Sequence, residues 1–185
     1  MMDGGLLGQE PMAARLLGGP SGPFSNRMAW RIASRVVTIN VAVTGAVVVL
    51  TALAAVLGGP LEPLPVAPRD DSPFSLASEI HGVLIAPVIE TAVLVWLCHL
   101  FGGSELKLKP CLWGSAVPLG LMHAIKGWTA IISAVPSFLV FVMAYVLMRR
   151  RQATLRQSMA VLVVAHAAQN ALLFAWAGWL GATQA

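Results

Sequence analysis

Five stretches of this chain are apolar over close to the length that a membrane demands, a pattern that soluble folds do not use. They run over residues 36–57, 79–101, 111–128, 129–148 and 159–180. A helix needs roughly 20 apolar residues to cross a hydrocarbon core ~30 Å thick. Composition agrees: 57% of the residues are hydrophobic and 11% charged, with a mean hydropathy of +0.77. A soluble domain carries about a quarter charged residues. Alternating β signals are missing, and helices satisfy the backbone within each segment. The sequence therefore predicts an all-α integral membrane protein, a bundle of about five transmembrane helices. The third and fourth segments nearly touch, so a tight turn is expected between Lys126 and Trp128.

The net charge of +4 invites a nucleic-acid partner, but the charges lie in short connections between apolar runs, so none is expected. With the N-terminus in the cytoplasm, Arg15, Arg27, Arg31, Arg35, Lys107, Lys109, Arg149, Arg150, Arg151 and Arg156 fall inside, and only Arg69 and Lys126 outside. Ten against two favours N-terminus in and C-terminus out, with the acidic loop 62–79 on the exterior. Residues 1–35 read as a tail and interfacial segment, 36–57 as a first span, and 79–180 as a four-helix core. Residues 1–23 are rich in Gly and Pro and predict a flexible tail. Small residues at Ala52 and Ala54 would suit signal cleavage, but the leader from Met1 to Arg35 is long, and an uncleaved anchor is preferred. Cys98 and Cys111 lie near cytoplasmic span ends, where free thiols are expected rather than a disulfide.

Four side chains within the spans are ones that lipid excludes: Glu90, His123, His166 and Asn170. At 1.5 Å per helical residue they lie ~16, ~18, ~10 and ~16 Å from the cytoplasmic ends of their spans. Three helices thus carry polar groups in one layer, a polar site near the bilayer midplane. A carboxylate at that depth costs ~2.5–3.5 kcal/mol on insertion scales, less where it faces a wet, protein-lined cavity. Pro87 and Pro118 precede Glu90 and His123 and can open their helices locally. His166 and Asn170 are four residues apart and share a face. Each residue has a plainer reading: Glu90 as the partner of Lys126 or a histidine, the others as interhelical hydrogen-bonding groups. The alignment of all four in one layer favours function. Gln169 points about a hundred degrees from Asn170 and is expected only to touch a neighbouring helix. His81 and His99, near span ends, need no special role.

A buried carboxylate beside an imidazole can hold and deprotonate water. A second imidazole with a nearby amide can donate to a developing oxyanion. These are the parts for peptide hydrolysis in a membrane, although spacing alone does not name a protease.

The residues carry a resemblance as well. APVIETAVLVW (86–96), PLGLMHAIKG (118–127) and AHAAQNALLF (165–174) resemble motifs one, two and three of the CPBP family, the CAAX-prenyl protease and bacteriocin-processing (Abi) intramembrane proteins. The family pattern is EExxxR, FxxxH and HxxxN or HxxxD on separate helices, and the likeness covers about 79–180. It implies Glu90 as the water-activating base, His123 as a water-holding partner, and His166 with Asn170 as the oxyanion side. It also implies a bacterial inner-membrane location and a membrane-anchored protein or peptide substrate. Thr91 stands at the second glutamate position, Val95 at the arginine and Leu119 at the phenylalanine. Glu90, His123 and His166 also make a His₂Glu set of the kind that binds zinc. With no HExxH present, the metal-free glutamic form is preferred and no cofactor is expected.

Two other functions compete. Thr91 and Val95 motivate a proteolytically inactive immunity or regulatory partner on the same scaffold. A small haem-binding subunit with His123 and His166 as axial ligands ranks last, because Glu90 and Asn170 would then have no role.

Overall fold

The computed structural model describes Leu17 and residues 23–57, 80–126 and 128–182. Most of the expected flexible tail, and the acidic loop 62–79, lie outside the described residues. Helix α1 spans Asn26–Val56. A π-helical turn, His81–Ile85, leads into α2 at Ala86–Gly102. A broken rod follows: α3 (Leu108–Cys111), a second π-turn (Leu112–Ala116), α4 (Val117–Leu121) and a 3₁₀ turn (Met122–Lys126). Helices α5 (Trp128–Arg150) and α6 (Leu155–Ala182) complete the bundle. No strand occurs among the described residues.

Four of these helices are long and apolar enough to cross a membrane: Asn26–Leu50, His81–Gly102, Ala130–Arg150 and Leu155–Trp176. Their outer faces are apolar too. Val88, Ile89, Trp96 and Leu100 of α2 are all exposed, and a helix that is apolar all round belongs in lipid. The chain is an all-α integral membrane protein. The expected third span, 111–128, is helical from Leu108 to Lys126 but changes winding along its length, so it joins the bundle as a segmented fifth rod.

Caps explain where two helices start earlier than hydropathy alone suggests. The hydroxyl of Ser25 accepts the Met28 backbone N–H at 3.3 Å, opening α1 at Asn26 rather than at residue 36. The interfacial segment and the first span are therefore one helix. At α6, Thr154 and Gln157 form a reciprocal capping box: the Gln157 N–H donates to Thr154 Oγ1 at 3.1 Å and the Thr154 N–H to Gln157 Oε1 at 2.8 Å.

Helix α5 is the central one, with 56% of its most apolar stretch buried against 22–28% for the other three spans. Its Phe138, Phe141, Val142, Tyr145 and Met148 recur at helical spacing and are all buried. Leu17, from the otherwise undescribed tail, joins the same core. At the basic end, the Phe24 N–H donates to the Arg151 carbonyl at 2.9 Å, bringing the start of α1 beside the α5–α6 turn.

Helix α4 approaches α5 through Gly120. A Cβ there would lie 2.7 Å from Val135 Cα and 2.9 Å from its nitrogen, and backbone cannot swing aside. Gly45 of α1 faces open space instead. Gly120→Ala should therefore destabilise the detergent-solubilised protein by about 1–3 kcal/mol in thermal unfolding. Gly45→Ala should be neutral or stabilising by up to about 1 kcal/mol.

Candidate functional site

The four polar residues singled out by depth meet around one cavity of about 360 Å³. Glu90 and His166 both sit near the middle of their spans, on α2 and α6. His123 comes from the 3₁₀ turn after α4. The two carboxylate oxygens of Glu90 face different imidazoles. Oε2 lies 3.3 Å from His166 Nε2, and Oε1 lies 3.8 Å from His123 Nε2. The Glu90 side chain keeps 26% exposure, that of His123 21% and that of His166 8%. The carboxylate is thus open to the cavity while His166 is enclosed.

Each histidine is held by a different means. His123 Nδ1 lies 3.0 Å from the Leu119 carbonyl, one helical turn back. A carbonyl only accepts, so the ring proton belongs on Nδ1 and a neutral His123 turns the lone pair of Nε2 toward Glu90. That arrangement is attractive when a proton or a donor is shared between ring and carboxylate. The backbone of Leu119, not its side chain, makes this contact. His166 is gripped by aromatic rings from α5. Phe141 lies 4.8 Å away and tilted by 38°, and Phe138 stands 6.0 Å away at 89°. Phe138 also packs on His123 at 5.6 Å. One aromatic pair thus orients both imidazoles.

Asn170 has a task that its sequence position did not suggest. Proline lacks an N–H, and the turn before Pro87 widens so that the Ala86 N–H reaches the His81 carbonyl, five residues back. The Gly82 carbonyl then gets no donor from Ala86, and Pro87 has none to give. Asn170 Nδ2 supplies it at 2.8 Å, tying α6 to the π-turn of α2. Gln169, expected only to touch a neighbour, is buried and bonded to α1: Asn40 Nδ2 donates to its Oε1 at 2.9 Å. It lines the cavity too, as do Thr44 of α1 and Ser133 and Ser137 of α5. Sequence reading missed the contributions of α1 and α5. The i, i+3 spacing of Phe138 and Phe141, and Asn40 within an apolar run, were the available signals.

Thr91 and Val95 lie in the buried stripe of α2, with Pro87, Leu94, Cys98 and Gly102. A glutamate and an arginine there would be an enclosed ion pair one turn apart. Replacing both members of such a pair by well-packed neutral residues is often neutral or stabilising, whereas losing one alone is not. Thr91 and Val95 are a buried neutral pair at that spacing.

Cys98 and Cys111 are free and buried, with Cys98 Sγ 3.3 Å from Ser115 Oγ and Cys111 Sγ bonded to the Cys98 carbonyl at 3.4 Å. His99, at the same end, meets the Tyr145 hydroxyl at 2.8 Å. Among the described residues, no three His, Cys, Asp or Glu side chains are arranged to hold a metal ion. The Nε2 atoms of His123 and His166 are directed at the two oxygens of Glu90 instead.

Asn170→Leu should leave the Gly82 carbonyl without a donor at a cost of about 1–3 kcal/mol. The expected readout is a lower melting temperature together with faster amide exchange confined to the turn at His81–Ile85.

Comparison of the chain with protein-family models, with curated proteins and with solved structures gave no match.

Proposed function

We propose that this chain is an intramembrane endopeptidase that hydrolyses a peptide bond in a membrane-anchored protein or peptide tail. The observation carrying this reading is the Glu90 carboxylate, open to a cavity within the bundle and faced by Nε2 of two histidines on other elements. The resemblance in the three motifs adds the reaction class.

The chemistry follows from the protonation pattern. A water beside Glu90 gives one proton to the carboxylate as its oxygen attacks the scissile carbonyl carbon. His123, with its own proton on Nδ1, offers Nε2 as acceptor for the second hydrogen of that water. The carbonyl π electrons move to oxygen, and His166 is the imidazole across the carboxylate that can donate to that oxyanion. The proton on Glu90 then passes to the leaving nitrogen as the C–N bond breaks, which restores the carboxylate. Phe138 and Phe141 form an apolar wall, and charge interactions strengthen where water is thinned out. Glutamate acts as the base in this scheme, which calls for no metal. The substrate is recognised through its membrane or juxtamembrane segment. The Lys and Arg asymmetry favours a cytoplasmic N-terminus and an exterior C-terminus, and the resemblance favours a bacterial inner membrane.

A second reading, an inactive immunity or regulatory partner, is favoured by one observation: the buried Thr91 and Val95. Comparing membrane and secreted proteomes with the wild-type chain, without it, and with Glu90→Gln separates the two. The protease predicts cleavage products that vanish equally in the null and in Glu90→Gln, and that persist after dialysis against a chelator in membranes. An unchanged pattern in Glu90→Gln rules out Glu90 as the base.

The Thr91 and Val95 positions are testable separately. Thr91→Glu or Val95→Arg alone should destabilise by about 3–5 kcal/mol, as an uncompensated buried charge does, and the double substitution should recover part of it. Cleavage gained only in the double variant would favour the inactive reading.

A further inference from the structure

We infer that Gln169 is the amide that binds the substrate's reacting carbonyl oxygen, and that Asn40 of α1 is the residue positioning it. The inference rests on the hydrolase reading and names a donor that neither depth nor motif assigns.

Three observations lead to it. Asn170, the oxyanion residue implied by the resemblance, has its amide committed to the Gly82 carbonyl at 2.8 Å. Gln169, on the same helix and three residues from His166, lines the same cavity as Glu90 and is only 6% exposed. Residues at i and i+3 of a helix stand ~5–6 Å apart at Cβ, so Gln169 and His166 can reach a common atom. Finally, the Gln169 amide is held by its oxygen: Oε1 accepts from Asn40 Nδ2 at 2.9 Å, which leaves the NH₂ end as the donor.

Asn40 shows that this pair is more than packing. It is fully buried, and its own Oδ1 has no partner among the described residues. Two apolar residues would join α1 to α6 without leaving an oxygen unsatisfied. The amide pair instead fixes which end of Gln169 faces the cavity. As the water oxygen bonds to the carbonyl carbon, charge gathers on the carbonyl oxygen, and an already oriented N–H stabilises it without reorganisation. His166 and Gln169 then share the oxyanion, and Asn170 shapes the wall.

The test uses the full chain, purified in detergent, and a synthetic peptide spanning a cut site whose cleavage disappears in Glu90→Gln. Gln169→Met should lower kcat about 100-fold with KM within about twofold, the pattern of an interaction made in the transition state. Gln169→Glu keeps the acceptor for Asn40 but removes the donor, and should show the same kcat loss together with a lower melting temperature, because it adds a buried charge beside Glu90. Asn40→Leu should lower kcat by about tenfold, because the donor remains but is no longer aimed. A kcat within about threefold of wild type in Gln169→Glu, or a change confined to KM, overturns the assignment. Finding no Glu90-dependent cut site at all overturns the hydrolase reading and this assignment together, a result distinct from cleavage that survives at Gln169.

Discussion

A carbonyl or amide in hydrocarbon has only the protein to bond with, and the site is built from groups that ordinary helical pairing left over. Pro87 removes a donor from α2, the turn before it widens, and the Gly82 carbonyl becomes available to α6 through Asn170. The Leu119 carbonyl fixes the ring proton of His123. Asn40 and Gln169 answer one another across α1 and α6. These bonds hold the helices that carry Glu90, His123 and His166 in mutual register. The polar layer is therefore a structural seam as well as a chemical one, and the same residue type can serve either purpose in it.

Aromatic packing does what hydrogen bonds leave undone. His166 has its Nε2 on Glu90 and its ring against Phe138 and Phe141. Rings on rings restrict rotation without competing for the imidazole nitrogens, so orientation is separated from proton chemistry. His123 is set by the same Phe138 from another side. The central, most enclosed helix thus contributes no ionisable group to the lining of the cavity and yet aims both of the imidazoles around Glu90.

The lipid-spanning architecture was legible because hydropathy over about 20 residues is a strong, local signal. The layer of Glu90, His123, His166 and Asn170 was legible for a related reason: polar residues inside such spans are costly and few. Other features depended on geometry that no periodicity encodes. The ten-residue head start of α1, from 36 to 26, came from a single Ser25 cap. The division of labour between Gln169 and Asn170 hinged on which carbonyl a proline had left vacant, and on an asparagine far away in the chain. Depth placed Asn170 correctly in the layer, but could not reveal that its amide serves the backbone. The roles of Phe138 and Phe141 were hidden because aromatic residues in an apolar span look like any other core.

The contact between Asn40 and Gln169 joins residues 129 positions apart in the chain. A ribosome adding about 5–20 residues per second makes Gln169 roughly 6–26 s after Asn40. During that interval α1 carries an amide that its proper partner cannot yet satisfy. The chamber closes only when the last helix arrives, so a partial chain in the membrane holds Glu90 without His166 and the rest of the α6 wall. Order of synthesis thereby sets when the polar chamber is complete: the sequence separation of two amides withholds it from half-built copies.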